Sequence, residues 1–330
     1  MPSTSSAEEL EARARVFEYS KAAAVELETQ PAAAFPASLH EAPGPTRAIP
    51  LDLSAELGET PWPATSPNLL ASFIRINEGE SLALTARATA QLFYCLRGSG
   101  MTVAEGSSEN FAWSTGDLFV LPALSGEITL SAASGGPGDG SAAFYWVNDE
   151  PLLRYLGVAP SERRQGAVLY KRERLLAEVE AIRHEPGAEH RNRMGILLSN
   201  DACGETKTLS HVLWALLNIL PANTRQPPHR HNSVALDLCV AIAPGCEGKV
   251  YTAMGPELGE DGWVKNPTKM YWASGAVFTT PPGWWHSHHN TSSSPAWVLP
   301  TQDAGLFTRQ RTLDIRFSHA APTPAGSGGE

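Results

Sequence analysis

Three histidines have the residue type and the spacing of metal ligands. His229 and His231 are two residues apart in PPHRHNSVALDL, a strand-like segment, so both imidazoles project from the same face. Downstream, GAVFTTPPGWWHSHHN predicts a turn into another strand, which carries His286. Neutral imidazole is the commonest metal ligand among side chains, and three of them from two strands can cap one end of an octahedron and leave positions open. The spacing therefore predicts a metal site at His229, His231 and His286, and the alternative is that all three are buried, hydrogen-bonded core histidines.

The rest of the chain predicts the frame that positions these side chains. Short apolar runs separated by Gly, Ser, Asn and Glu occupy residues 69–147, and a second β-rich block runs from 194 to 317. Amphipathic spacing predicts helices over 7–28 and 167–184, and the Pro-rich stretch 31–67 predicts an irregular arm laid over a surface. We therefore predict an all-β dominated fold with short flanking helices, divided as follows: helix and arm 1–67, first β block 68–160, linker helix 161–190, second β block 191–318 and disordered tail 319–330.

The segments around the histidines resemble the two cupin motifs. The first motif is matched through His229 and His231, and the second is matched at every fixed position: Gly275, Pro281, Gly283, His286 and Asn290. Cupins are jelly-roll barrels, so the resemblance implies two such barrels here. Many cupins hold a metal with three His and one Glu, but the position of that Glu falls at Ala235 or Leu236. The resemblance therefore implies a site of three His without a carboxylate.

The first β block keeps the frame of the motifs without their histidines. Thr85 and Arg87 stand where the His pair would be, and Gly116 and Pro122 recur without a following His. No histidine occurs between His40 and His184. We therefore predict that residues 68–160 form a degenerate, metal-free barrel that serves as a structural or dimerisation partner, in a protein that is a homo-oligomer.

Across about residues 68–317 the chain resembles the bicupin gentisate and salicylate 1,2-dioxygenases. These are Fe(II) enzymes that cleave hydroxybenzoate rings with O2, and their iron is held by three His. The barrel order looks permuted, because residues 68–160 resemble the second barrel of the family and residues 190–305 resemble its first. The resemblance implies Fe(II) as the cofactor, and an aromatic small molecule and O2 as the partners.

The same resemblance assigns roles to individual residues. Arg193 matches an Arg that contacts the substrate carboxylate, and Trp214 matches a pocket Trp. Asp303 matches an Asp near the iron-bound substrate, and His288 matches the second His of an HxHHN motif, so both are predicted catalytic residues. For His288 the alternative is a packing role, and for Arg193 with Asp303 it is a structural ion pair.

Two positions depart from the family. Asn218 stands in place of a pocket Gln, and Asp237 stands in place of an Arg six residues after the second metal ligand. Trp214 and Asn218 are four residues apart in an extended segment, so both can line one pocket. We predict that Asp237 and Arg193 pair and cancel each other's charge, which favours a substrate that is neutral or carries an amino or hydroxyl donor. The alternative is that Asp237 points away and Arg193 alone holds a carboxylate.

Composition excludes several other classes of protein. The 330 residues carry 25 basic and 35 acidic side chains, a net charge of -10, with no basic cluster for nucleic acid or an anionic membrane. The most apolar stretch, residues 209–220, is much shorter than the roughly 20 residues needed to span a bilayer. The four cysteines lack CxxC spacing, and the first residues do not resemble a signal peptide. We therefore expect a cytoplasmic protein with free thiols.

The favoured function is a non-haem Fe(II)-dependent dioxygenase that cleaves the ring of a hydroxylated aromatic compound. One alternative is a cupin that binds another metal and acts as an isomerase, hydrolase or decarboxylase. A second is a non-catalytic bicupin that binds a ligand. The fold alone does not choose among them, because cupins host many chemistries.

Overall fold

The chain folds mostly into short β-strands, as the alternating apolar pattern predicts. The computed structural model describes residues 5–24, 27–58, 61–105, 110–135, 140–188 and 191–320, and the backbone of 323–324. The helices are α1 Ala7–Glu11, α2 Tyr19–Ala22, α3 Ser38–Glu41, α4 Ser54–Leu57, α5 Glu150–Leu156, α6 Arg172–Arg183 and α7 Ala304–Gln310. The strands are β1 Ala34–Phe35, β2 Arg47–Pro50, β3 Leu70–Ile76, β4 Ser81–Leu84, β5 Ala90–Arg97, β6 Ser99–Ala104, β7 Phe111–Ser114, β8 Leu118–Pro122, β9 Ile128–Ala132, β10 Ala142–Asn148, β11 Val168–Tyr170, β12 Met194–Leu198, β13 Trp214–Leu220, β14 Thr224–Arg225, β15 His229–His231, β16 Ala235–Ala241, β17 Val250–Gly255, β18 Thr268–Tyr271, β19 Val277–Thr280, β20 Trp285–Asn290, β21 Ala296–Gln302, β22 Ile315–Phe317 and β23 Thr323–Pro324.

The strands form two barrels, each made of two facing sheets. In the first barrel a six-stranded sheet, β11-β8-β5-β10-β3-β2, faces a four-stranded sheet, β4-β9-β6-β7. In the second barrel a six-stranded sheet, β1-β19-β16-β21-β13-β12, faces a seven-stranded sheet that contains β18-β17-β20-β14-β23 together with β15 and β22. The predicted all-β architecture of two jelly-roll barrels is confirmed.

The two barrels pack back to back through their six-stranded sheets. One hydrophobic cluster joins side chains of both sheets, among them Tyr145 of β10, Leu217 of β13 and Leu236 of β16. The Tyr145 hydroxyl donates to the Leu236 carbonyl across 3.3 Å. Helix α6 adds Leu175 and Val179 to the same cluster. Because strand side chains alternate between faces, the residues between these core positions point into the barrels.

The interior of the first barrel is filled by aromatic side chains. Phe93 and Phe119 stack with their ring centroids 4.8 Å apart, and Trp113 meets Phe144 edge to face at 4.6 Å. All four are buried. Thr85 and Arg87, at the positions of the His pair, are exposed. This packing supports the prediction of a metal-free first barrel, which stays a prediction.

The segments that flank the barrels differ from their predicted form. The single helix expected over 7–28 is wrong, because only α1 and α2 form and neither contains a buried residue. The arm is more than a surface cover: β1 pairs with β19 of the second barrel, and β2 pairs with β3 of the first. The linker helix begins later than expected, at Arg172, because Val168–Tyr170 pairs with β8 instead.

Two smaller expectations concern the tail and the cysteines. Most of the predicted disordered tail lies outside the described residues, and Thr323–Pro324 pairs with β14. All four cysteines are buried and free, as expected from their spacing. Within the described ranges, the chain contains no helix that is both long and apolar enough to cross a membrane.

Candidate metal centre

The three predicted metal ligands meet on two neighbouring strands of the second barrel. Strand β15 pairs with β20, and His229 lies directly opposite His286. His231 is on the same face as His229, so the ligand atoms of all three side chains lie within 4.8 Å of one another. Their ring centroids are 4.1 to 5.5 Å apart. Among the described residues, this is the one group of three His, Cys, Asp or Glu side chains that could hold a metal ion.

Two of the histidines are already oriented for a metal. His231 donates its Nδ1 hydrogen to the Ser233 carbonyl at 2.9 Å, and His286 donates its own to the Trp284 carbonyl at 3.1 Å. These bonds make Nε2 the atom that carries the lone pair in each ring. Burial lowers the pKa of His231 to about 4, and it lowers that of His286 well below its usual range. Both rings are therefore neutral at physiological pH, as a metal ligand must be.

The third histidine makes a different contact. Arg193 donates from Nη2 to Nδ1 of His229 across 2.5 Å. Its Nη1 donates to the carbonyls of Asn192 and Pro227 at 2.9 and 3.3 Å. Burial lowers the pKa of Arg193 to about 9, and the charge of Asp237 opposes that shift. Arg193 is thus a half-buried cation beside the candidate metal ligands.

His288 lies on the same face of β20 as His286 but has another set of partners. The Trp272 indole donates to Thr252 Oγ1 at 2.9 Å, and Thr252 Oγ1 lies 2.8 Å from Nδ1 of His288. Since Thr252 accepts from the indole, its hydroxyl hydrogen is free to point at His288. With Thr252 as the donor to Nδ1, the ring hydrogen of neutral His288 is on Nε2, and His288 can donate it to the pocket. His289 lies on the opposite face and stacks on Tyr251 at 4.7 Å.

A pocket lies between the metal ligands and the inner face of the six-stranded sheet. Alternation along the strands decides which sheet residues reach it: even-numbered residues on β13 and β21, and odd-numbered residues on β16. The lining residues are Arg193, Trp214, Leu216, Asn218, His229, His231, Ala235, Asp237, His286, His288, Pro300, Gln302 and Ile315. The structure therefore brings together every predicted site residue except Asp303.

The cavity is small for an aromatic ligand. Its volume is about 40 Å³, whereas a cavity of about 150 Å³ is known to admit benzene. Ring binding therefore requires neighbouring side chains to move. Ile315 lies on the edge strand β22 and is 39% exposed, so it can move with little loss of packing.

Two polar side chains face this cavity without full hydrogen bonding. Asn218 is buried, and neither its amide nitrogen nor its amide oxygen has a partner. Asp237 accepts from the Thr280 hydroxyl at 2.7 Å through Oδ2. Burial raises the pKa of Asp237 to about 7, and the Thr280 bond and the Arg193 charge oppose that rise. Unpartnered buried amide groups are costly, so Asn218 is a candidate to bind a polar group of a ligand.

The structure corrects two expectations about charged side chains. Arg193 and Asp237 both face the pocket, but no ion pair joins them, so their charges do not cancel by contact. Asp303 is not in the pocket lining; it accepts from Asn68 at 2.6 Å and from the Val234 amide at 3.1 Å. Because side chains alternate along β21, Gln302 points into the pocket and the next residue, Asp303, points toward the first barrel. Asp303 therefore joins the barrels, and we assign it no catalytic role.

Gln302 is the pocket residue that sequence reasoning missed. Its Oε1 accepts from the Ser233 hydroxyl at 2.7 Å, which directs its amide nitrogen to 3.5 Å from Nε2 of His231. The alternation along β21 is the signal that could have identified it. Gln302 therefore borders the atom of His231 that a metal would use.

Comparison with known proteins places this site in a known fold. No protein-family model matches the chain. Salicylate 1,2-dioxygenase from Pseudaminobacter salicylatoxidans matches with a TM-score of 0.66 at 15% identity, over 94% of this chain and 95% of that chain. The chain has the bicupin fold of that enzyme. A single-site variant of the same enzyme in complex with gentisate also matches this bicupin, with a TM-score of 0.66 at 16% identity over 97% of both chains.

A curated relative shares only part of the sequence. A 94-residue segment is 28% identical to 5-aminosalicylate 1,2-dioxygenase from Comamonas sp.. That segment is 28% of this bicupin and 23% of the relative. The permuted order of the barrels stays a prediction.

Proposed function

We propose that the second barrel is the active centre of an Fe(II)-dependent dioxygenase that cleaves the ring of a hydroxylated aromatic acid with O2. The observation that carries this proposal is a three-His group in the same pocket as a half-buried Arg193, which forms no ion pair with any acidic side chain in the described part of the chain. The fold shared with salicylate 1,2-dioxygenase supports this proposal. The partial match to 5-aminosalicylate 1,2-dioxygenase also supports it.

The donor set fits a divalent iron. Three neutral imidazoles without a carboxylate leave several coordination positions free, as in other non-haem iron oxygenases. His229, His231 and His286 would hold the ion, and iron supplies the electrons that allow O2 to react with the ring.

The other pocket residues would bind and orient the substrate. The Arg193 guanidinium suits a carboxylate, because its fork forms two parallel charge-assisted hydrogen bonds. The ring would lie against Trp214, and His288 would donate from Nε2 to an oxygen of the substrate. Asn218 and Asp237 would bind a polar ring substituent, and Asp237 favours one that donates a hydrogen bond. A substrate with both a carboxylate and a donor group therefore fits better than a neutral one.

A second candidate is a metal-dependent isomerase, hydrolase or decarboxylase. The observation that favours it is Asp237, a buried carboxyl in the pocket whose pKa is raised to about 7 by burial. A group with a pKa near the operating pH is suited to general acid–base catalysis. The cytoplasmic location and the homo-oligomeric state stay predictions from the sequence.

Oxygen dependence separates the two candidates. The protein would be purified without oxygen, loaded with Fe(II) and tested for O2 uptake over salicylate, gentisate, 5-aminosalicylate and phenol. We expect O2 uptake with at least one of the acids, and both atoms of isotopically labelled O2 in a ring-opened product. Turnover that proceeds equally well without O2 would contradict the dioxygenase and favour the second candidate.

A further inference from the structure

The Arg193–His229 contact sets this histidine apart from its two neighbours. His231 and His286 use their Nδ1 hydrogens on backbone carbonyls, which leaves the lone pair on Nε2; that of His231 meets only the long 3.5 Å contact from the Gln302 amide. A guanidinium can only donate, so Nδ1 of His229 must accept the bond from Arg193. The hydrogen of the neutral His229 ring is then on Nε2.

This bond occupies the one lone pair that His229 could give to a metal. A neutral imidazole has a single nitrogen able to act as a ligand, and here that nitrogen accepts from Arg193. The other nitrogen carries the hydrogen. His229 therefore cannot complete the three-His site until the Arg193 bond breaks.

The positive charge of Arg193 also opposes metal binding at His229. Arg193 is half-buried, and its other bonds are to neutral oxygens of Asn192 and Pro227. Within the described ranges it has no carboxylate partner. Two cations that share one imidazole repel each other strongly where burial lowers the local dielectric constant. An anion placed between them would remove both obstacles, because a carboxylate accepts the guanidinium fork and releases His229.

We propose that Arg193 competes with the metal for His229, and that an anionic ligand releases Arg193 so that metal and anion bind cooperatively. The inference rests on the proposed metal site but not on the oxygen chemistry. Linkage makes the effect reciprocal: an anion must tighten metal binding by the same factor as the metal tightens anion binding. Arg193 acts here as a positioning residue that couples the two ligands.

The test measures metal affinity rather than turnover. Co²⁺ would be titrated into the metal-free protein with and without saturating benzoate, for wild type and Arg193→Met. For wild type, benzoate should tighten Co²⁺ binding by about 5-fold or more, the lower end of typical couplings. Arg193→Met should bind Co²⁺ more tightly than wild type without benzoate, and benzoate should have no effect on it.

Two further variants control for charge and for folding. Arg230→Met removes a cation from β15 that lies over the Trp285 ring at 5.2 Å, and its Co²⁺ affinity should match wild type. Arg193→Lys keeps a charge without the fork, so it should bind Co²⁺ no more tightly than wild type. If Arg193→Met does not fold, imidazole nitrogen NMR of metal-free wild type remains decisive, because His229 should carry its hydrogen on Nε2.

The outcomes separate this inference from the proposed function. An Arg193→Met protein that binds Co²⁺ no more tightly than wild type, or a His229 hydrogen on Nδ1, would overturn the coupling alone. Absence of Co²⁺ binding in wild type would overturn the metal site and the coupling together. Coupling without O2 uptake would contradict only the dioxygenase.

Discussion

The two barrels share a turn but differ in the residue that follows it. Gly116 in the first barrel and Gly275 in the second both have positive φ, at 88° and 77°. Two residues after the Pro that follows each glycine, Leu124 and Gly283 also have positive φ, at 58° and 77°. The residue eleven places after each glycine is exposed Glu127 in the first barrel and buried His286 in the second. The same turn is thus present in both barrels, but only the second barrel carries a histidine after it.

The side chains inside the two barrels also differ. In the first barrel, Phe119 packs against other buried or half-buried aromatic rings with centroid distances of 4.8 to 6.0 Å. In the second, the polar side chains of Asn218 and Asp237 line a cavity. Aromatic packing contributes to stability, whereas unpartnered polar groups cost stability unless a ligand binds them. The difference supports the prediction that the first barrel has a structural role and that the second bears the site.

The largest expected effect is on metal content. His286→Ala should lose the metal, because the remaining imidazoles seldom hold a labile divalent ion against dilution. Glu127→Ala, at the matching place in the first barrel, should keep wild-type content. Metal analysis after dialysis would show about one ion per chain in wild type. Full content in His286→Ala, or two ions per chain in wild type, would refute the assignment.

A pair of core substitutions should separate packing from binding. Phe119→Ala removes a fully buried ring and should lower the free energy of unfolding by about 3–5 kcal/mol. Trp214→Ala, on the half-buried pocket wall, should cost less stability and weaken binding of an aromatic acid. Urea unfolding and anaerobic ligand titration measure the two effects. Equal destabilisation by both substitutions would show that the second barrel depends on its pocket wall for packing.

The pH dependence of stability should reveal Asp237. Burial raises its pKa from 3.8 to about 7, so between these values the folded protein binds more protons at this site than the unfolded chain. The contribution of Asp237 to stability is therefore fully present below pH 4 and is lost as pH rises through 7. Asp237→Asn has no such loss, so its stability relative to wild type should grow from pH 4 to 7, by up to about 4 kcal/mol.

Urea unfolding of the metal-free proteins at several pH values measures this difference. The depressed pKa values of the site histidines affect wild type and Asp237→Asn alike, so they cancel in the comparison. A stability difference that stays constant from pH 4 to 8 would show that Asp237 is not buried as a neutral acid.

Much of the site could be predicted because it follows local alternation. His229 and His231 share a face of β15, and Trp214 and Asn218 share a face of β13, as a two-residue period requires. The same rule explains the failure at Asp303. It lies one residue beyond the inward-facing Gln302, so a shift of one position moves it to the other side of the sheet.

Contacts between distant segments could not be predicted from local pattern. Strand β1 pairs Ala34 with Phe278, and the Arg193–His229 bond joins residues 36 positions apart. The expected helix over 7–28 failed for the opposite reason. Its pattern is helical, but the segment buries no side chain, and short helices without tertiary packing are marginal in water.

The smallest expected effect concerns which polar substituents of the ligand the pocket prefers. Arg193 and Asp237 face the cavity without an ion pair between them, so above pH 7, where Asp237 is ionised, the pocket offers a cation to a carboxylate and an anion to a hydrogen-bond donor. Wild type should therefore bind 5-aminosalicylate more tightly than salicylate under anaerobic conditions. A hydrogen bond to a charged group contributes about 1.5 kcal/mol or more, which corresponds to roughly tenfold in affinity. Asp237→Asn should reduce this preference, and Asp237→Arg should shift it toward salicylate.

The control for this comparison lies on the same strand. Leu238 points into the core between the barrels, so Leu238→Met should keep the wild-type preference. Circular dichroism would establish that Asp237→Arg is folded before its affinities are interpreted, since the new cation is buried near Arg193. A wild type that binds salicylate more tightly than its amino derivative, with the same ratio in Asp237→Asn, would show that Asp237 does not contact the ring substituent. Asp237, which replaces an Arg of the family, would then contribute only to the packing of the pocket wall. Arg193 alone would select the ligand.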